Sequence, residues 1–191
     1  MARRSDVFIH ELALCESDSV GHGTRIWAYA HVMKDAQIGA DCNIGGHAFI
    51  ESGARIGDRV VVKNGVQIWD HVTVEDDVFI GPNATLINDR VPRAGQYRTR
   101  VDFQPTRICR GATIGANATV LCGLCVGAHA FVAAGSVIVK DVPAHGFLVG
   151  APGKRLGWVC TCGLRLDDTL ACACGRRFRL ADNARELVAC D

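Results

Sequence analysis

Residues 44–86 read IGGHAFIESGARIGDRVVVKNGVQIWDHVTVEDDVFIGPNATL, and an apolar aliphatic side chain falls on every sixth position: Ile44, Ile50, Ile56, Val62, Ile68, Val74, Ile80 and Leu86. The same phase runs back through Ile38, Val32, Ile26 and Val20 to Leu14, so thirteen consecutive hexads share it. It is lost near Asp89 and returns at Ile108, Ile114, Val120, Val126, Val132 and Ile138. Four positions after most of these aliphatics comes a small or β-branched residue, from Thr24, Ala30 and Ala36 through Val66, Val78 and Ala84 to Ala130, Ser136 and Val142, with Leu124 the larger member of the series. The position directly after the aliphatic is often glycine, as at Gly21, Gly39, Gly45, Gly57, Gly81, Gly115 and Gly127. A hexapeptide period is the signature of a parallel β-helix. Each hexad supplies one short strand and one corner. The aliphatic points inward and fills a triangular prism, and the small residue also faces in where the walls converge. The glycines are expected to take the positive φ of a tight corner. Coils stack at the strand spacing of about 4.8 Å, and the repeats predict roughly six of them. A sandwich strand also alternates apolar residues, but it does not hold one phase over so many hexads.

The rest of the chain is read outward from this coil. Its 191 residues suit one principal domain with a small appendage. Residues 1–13 form a lead-in, 14–143 the β-helix, and 144–191 a tail. Hydrophobic residues make up 49% of the chain, enough for a sizeable core. The net charge of +1 gives no electrostatic case for nucleic acid or membrane binding. The chain shows neither a signal-peptide pattern nor a long apolar run, so a soluble cytoplasmic protein is expected. In that compartment its ten cysteines point to thiols or a metal site rather than a disulfide framework.

An excursion, residues 90–105, interrupts the coil between Leu86 and Ile108. It and its flanks carry Arg90, Arg93, Arg98, Arg100 and Arg107, with Tyr97 and Phe103. Long loops in compact folds are commonly functional. This one reads as an arm that supplies positive charge to phosphates or carboxylates.

Three segments carry a family resemblance. The coil ends in AAGSVIVKDVPAHGFLVGAPGKRLG (133–157), which resembles the acyl-CoA-binding end of the left-handed β-helix, hexapeptide-repeat acyltransferases. TRIWAYAHVMKDAQIG (24–39) and VQIWDHVTVEDDVFIGPNATLIND (66–89) are similar to the nucleotide-sugar N-acetyltransferases within that group. The subgroup it most resembles acetylates the 3-amino group of UDP-2-acetamido-3-amino-2,3-dideoxyglucuronate in lipopolysaccharide biosynthesis. A sister subgroup acts on dTDP-3-amino-3,6-dideoxyhexoses.

The resemblance implies a left-handed coil, a homotrimer with sites between subunits, and acetyl-CoA as acyl donor. It places the pantetheine arm along Ala133, Ala134 and Gly135. Lys140, Lys154 and Arg155 become candidates for the nucleotide phosphates, with Arg107 beside them. It gives Asn83 of the GPN segment the task of facing the accepting amine. Asp70 and Asp89 are candidates to orient that amine or take its proton, and Asn88 lies at the base of the arm. Asn88 and Asp89 also suit plain turn chemistry. His71 follows Asp70 and is a candidate base, although relatives usually carry glycine there. His31 and Tyr29 lie in the segment resembling the substrate-side wall, and Arg90 and Arg93 are candidate sugar-nucleotide ligands. Trp27, Tyr29 and Trp69 stand outside the inward positions and suit a subunit seam or a stacked base.

Two other function classes are open to this scaffold. A zinc carbonic anhydrase on this scaffold needs a close histidine pair, and the seven histidines offer none. A noncatalytic scaffold would need neither the arm nor the GAPGK segment. In the tail, Cys160 and Cys162 precede Gly163, and Cys172 and Cys174 precede Gly175. The arrangement resembles a zinc ribbon, with C-x-C in place of the usual C-x₂-C. Zinc, reduced thiols and disulfides all remain open for these four residues. Cys122 and Cys125 also make a C-x₂-C, but on coil positions, where packing is the better reading.

Overall fold

The computed structural model describes residues 6–96, 102–181 and 187–190. Along the coil each hexad forms a strand of two residues, lengthened to three at Val72–Val74 and Thr106–Ile108. Successive strands do not pair with each other. His31–Val32 pairs in parallel with Phe49–Ile50, eighteen positions on. The strands therefore sort into three walls. The first runs from Phe8–Ile9 through Asn43–Ile44 and Phe79–Ile80 to Phe131–Val132 and Gly146–Val149. The second runs from Leu14–Cys15 through His31–Val32 and Thr85–Leu86 to Val137–Ile138. The third runs from Ser19–Val20 through Val72–Val74 and Thr106–Ile108 to Cys125–Val126.

The register puts one aliphatic above the next. Ile26, Ile44, Val62, Ile80, Ile114 and Val132 follow one another up the first wall, and every one is fully buried. The small residues Ala30, Ala48, Ala84, Ala118 and Ser136 are buried with them. Burying one such isoleucine contributes about 1.5–3 kcal/mol.

Three expectations need correction. The first wall has nine strands, of which only the last, Lys154–Trp158, is antiparallel, so it holds eight parallel rungs rather than six. Strands Phe8–Ile9 and Gly146–Val149 extend the stack at both ends. Second, Leu14 does not fill the prism and is 54% exposed. Leu14 pairs with His31, seventeen positions on, so Ile9 and Cys15 take the inward places below Ile26 and Val32. The first coil is one residue short, which shifts the phase. Third, the glycines after the aliphatics do not adopt left-handed backbone. Positive φ recurs every sixth residue, but two positions later, at Tyr29, Asp35, Asp41, His47, Gly53, Arg59, Gly65, His71, Asp77 and Asn83. What those glycines supply is room. A Cβ on Gly81 would lie 2.6 Å from the Ala116 nitrogen, and one on Gly45 2.7 Å from the Asn64 nitrogen.

The excursion leaves the second wall after Leu86 and rejoins the third at Thr106. It replaces the corner stacked on His71, whose carbonyl accepts the Thr106 N–H at 3.0 Å. Beyond the coil, Lys154–Trp158 turns back along Gly146–Val149 and leads into a unit with its own buried cluster of Trp158, Cys160, Cys172, Phe178 and Leu187.

Candidate functional site

The candidate acceptor residues gather around the outer face of the second wall. That face presents His31, Phe49, Gln67 and Thr85 in register. The corner joining it to the first wall carries Tyr29, His47, Gly65 and Asn83, each in left-handed backbone. The corner joining it to the third wall carries Asp35, Gly53 and His71, and then the root of the arm. Asn83 and His71 thus occupy opposite edges of one wall.

Asp70 and His71 form the most structured part. Asp70 is only 4% exposed. Its backbone N–H donates to Glu51 Oε2 at 2.7 Å, and the His71 N–H donates to Asp70 Oδ1 at 2.8 Å. His71 Nδ1 lies 3.2 Å from the same oxygen, close enough for an ion pair, but without hydrogen-bond alignment. Nδ1 is buried while the side chain is 33% exposed, so the ring shows its other atoms to solvent. Phe103 meets that ring edge-on, with centroids 6.2 Å apart. A buried carboxylate within ion-pair reach of a partly exposed imidazole suits a general base.

The arm's root is built from turn chemistry. The Asn88 carbonyl accepts the Gln104 N–H at 3.4 Å, closing the neck, and Asp89 Oδ1 accepts the Val91 N–H at 2.9 Å. Arg90 and Arg93 are exposed, and Arg93 also donates to the Pro92 carbonyl at 3.0 Å. Tyr97, Arg98 and Arg100 lie outside the described residues.

Lower on the wall, His31 Nε2 sits 2.9 Å from Glu16 Oε2 and its ring meets Phe49 edge-on. Tyr29 stacks on His47 at 4.9 Å. With Trp27, Lys63 and Asn64 these two line an open cleft of about 520 Å³. Asn83 is exposed, and its amide oxygen covers Gly65 of the coil below.

The donor candidates are spread over more of the molecule. Ala133, Ala134 and Gly135 lie at the top of the Asn83 corner, where Gly135 has a φ of 69° and open space over its Cα. Lys140 and Arg155 line a cavity of about 840 Å³ at the end of the coil with Asp141, Pro143 and Gly153; Lys154 is not among its lining residues. The Arg155 guanidinium is stacked 4.0 Å over Trp158. Arg107 stands on the third wall, where its Nε donates to Glu75 Oε1 at 2.5 Å and the carboxylate holds its pKa above the usual guanidinium value. Its cleft shares Cys125 and Asp141 with the Lys140 cavity. One chain therefore joins Arg107 to Lys140 and Arg155, but leaves Ala133–Gly135 at a different corner. The four tail thiols do come together, within 4.8 Å of one another.

Sequence reasoning missed Glu51 and Glu75. Each lies on a neighbouring rung of its partner, so the coil period was the signal that would have found them.

Residues 19–52 and 53–88 match the bacterial transferase hexapeptide (six repeats) family, and residues 105–140 match the hexapeptide repeat of succinyl-transferase. A dTDP-3-amino-3,6-dideoxy-alpha-D-galactopyranose 3-N-acetyltransferase of Aneurinibacillus thermoaerophilus is 42% identical over 178 residues, which cover 92% of each chain. The chain belongs to the hexapeptide-repeat acyltransferases. Its coil is the left-handed β-helix of that family, and the gap between the matched segments coincides with the arm. Among solved structures, the acetyltransferase domain of PglB from Neisseria gonorrhoeae, in complex with acetyl coenzyme A, superposes with a TM-score of 0.53 at 23% identity. It covers 81% of this chain and 60% of that one. A hexapeptide-repeat acetyltransferase of Vibrio cholerae, also complexed with acetyl coenzyme A, is 27% identical with a TM-score of 0.50, covering 61% of this chain and 70% of its own.

Proposed function

We propose that this acyltransferase moves the acetyl group of acetyl-CoA onto the 3-amino group of a nucleotide-linked amino sugar. The observation that carries the reading is the 42% identity to a 3-N-acetyltransferase of such a sugar over 92% of both chains. The acetyl coenzyme A in the Vibrio relative supports the donor.

The chemistry is attack of a neutral amine on a thioester. The nitrogen lone pair forms the C–N bond, the C–S bond breaks, and CoA leaves as the thiol once the amine proton has been passed on. His71 takes that proton, with Asp70 holding the ring. Asn83 faces the amine, and backbone N–H groups stabilise the thioester oxyanion. Placement of amine and thioester supplies roughly 7–11 kcal/mol of the barrier reduction. His71 and Asn83 occupy opposite edges of one wall, so each complete site takes one edge from each of two chains in a homotrimer. Acetyl-CoA lies in the groove between prisms, along Ala133–Gly135, with Lys140, Lys154, Arg155 and Arg107 near its phosphates.

The relative favours a thymidine-linked 3-amino-3,6-dideoxyhexose. A UDP-linked 3-amino uronic acid is the second reading, because Arg90 and Arg93 stand exposed on the arm and suit an extra carboxylate. In this reading the enzyme works in the cytoplasm, and with the UDP-linked uronic acid as acceptor it supplies a sugar for lipopolysaccharide. The test is release of free CoA from acetyl-CoA with a panel of dTDP- and UDP-linked amino sugars. Release with a 3-amino sugar supports the reading, and the nucleotide that works separates the two sugars. No release with any acceptor, together with no acetyl-CoA binding by calorimetry, overturns it.

A further inference from the structure

The four tail cysteines lie on two matching loops. Cys160 donates its N–H to the Leu164 carbonyl at 2.8 Å, and Gly163 donates back to the Cys160 carbonyl at 2.9 Å. Cys172 donates to the Arg176 carbonyl at 2.8 Å, and Gly175 donates back to the Cys172 carbonyl at 2.9 Å. Gly163 and Gly175 close the two loops with φ of 87° and 93°, a conformation open to glycine. The same hydrogen bonds thus recur twelve residues apart, and both loops turn their thiols toward one point.

The sulfur geometry is that of a shared ligand. Cys160 and Cys174 have their Sγ atoms 3.6 Å apart, as do Cys162 and Cys172. Four sulfurs each about 2.3 Å from one zinc at tetrahedral angles lie about 3.8 Å from one another. The surroundings fit as well. Arg176 Nη1 is 3.3 Å from Cys174 Sγ and 4.0 Å from Cys160 Sγ, so a cation faces the excess negative charge of four thiolates around a divalent ion. Among the described residues the unit's buried cluster is five residues with Leu166 and Leu170 packed against it, too few to hold such a segment by apolar burial alone.

We propose that Cys160, Cys162, Cys172 and Cys174 bind one structural zinc ion, and that this ion holds the two tail loops together at the end of the coil. Binding converts four thiols to thiolates and releases their protons. Tetrahedral thiolate sites take zinc or iron; zinc fits a unit that has only to be held in shape. The strand Lys154–Trp158 runs straight into the first loop, so the ion fixes the strand that carries Lys154 and Arg155. Trp158 reaches into the tail's cluster, while Arg165 covers the Phe147 ring at 4.8 Å on the coil side.

The test is the metal content of the full-length chain, purified untagged under reducing conditions from zinc-supplemented cells and measured by plasma mass spectrometry. One zinc per chain is expected, released to a chromogenic chelator when a mercurial reagent titrates the thiols. Cys162→Ser with Cys174→Ser should drop the zinc to background, while Cys190→Ser, another exposed cysteine, should retain it. Chelation of the unmodified chain should open residues 160–190 to protease and leave the coil intact, a readout that needs no variant to fold. A zinc-free chain, iron in place of zinc, or zinc retained in the double variant overturns the proposal. None of these measurements depends on acetyl transfer.

Discussion

Asn83 is held at a φ of 58°. Left-handed backbone costs an ordinary residue about 1–2 kcal/mol, and Asn is among the few that tolerate it. Removing its amide with alanine would therefore strain the corner as well. Asn83→Gly separates the two effects. It should lower kcat about a hundredfold, the scale of a lost transition-state hydrogen bond, with little change in melting temperature. Asn83→Ala should lower both. Unchanged turnover in the glycine variant removes Asn83 from the chemistry. By the same logic His71, at a φ of 64°, is best replaced by Asn. Steady-state kinetics of His71→Asn should show a loss of about 10²–10⁴-fold in kcat if the imidazole is the base, and an active variant would transfer that role elsewhere. That these residues stand at corners was legible in the chain. Asn, Asp, His and Gly crowd the third position after each aliphatic, the types that accept positive φ. The neighbouring glycines drew the assignment away, because glycine answers both to φ and to lack of space, and sequence does not say which.

At the scale of the element, the rung, space and φ come apart experimentally. Gly81→Ala places a methyl against the backbone of the next coil, 2.6 Å from Ala116 N. It should destabilise by about 1–3 kcal/mol or more, as overpacking does. Gly135→Ala meets open space and pays only for its φ, so chemical denaturation should rank it as the milder change. A second prediction belongs to the corner between the third and first walls, where His129 and His145 stack at 5.1 Å. Burial holds both imidazoles below the ordinary histidine pKa. The unfolded chain then binds more protons in the window below about pH 6.5, so their contribution is present above that pH and lost as pH falls through the folded values. Scanning calorimetry should show the melting temperature falling from neutral to mildly acidic pH, and falling less in His129→Asn. An equal fall in the variant would place the acid sensitivity elsewhere. The walls themselves were readable from the six-residue phase. The first coil was not, because one missing residue moved the inward position from Leu14 to Cys15, and a single period carries no internal sign of such a slip.

For the whole molecule, light scattering on the purified protein should give a mass of three chains if sites are shared between prisms, and a monomer would leave the His71 and Asn83 edges without their complement. Replacing residues 90–103 with a short turn should keep the circular dichroism of the coil and abolish acetyl transfer; retained transfer would reduce the arm to decoration. The candidate donor region was the least legible part. Arg107, Lys140 and Arg155 are far apart in sequence and meet only because the coil's end brings two clefts together, whereas Ala133–Gly135, close in sequence to Lys140, lie at another corner. The end of the coil has one more consequence. A stack of identical parallel rungs is a template for its own elongation, since the last rung offers the next chain the hydrogen bonds it offered its own. On the first wall, Lys154–Trp158 runs the other way and occupies that edge. A reversed strand is a poor seed for a parallel one, so on this wall the chain's own end blunts end-to-end growth into a fibre.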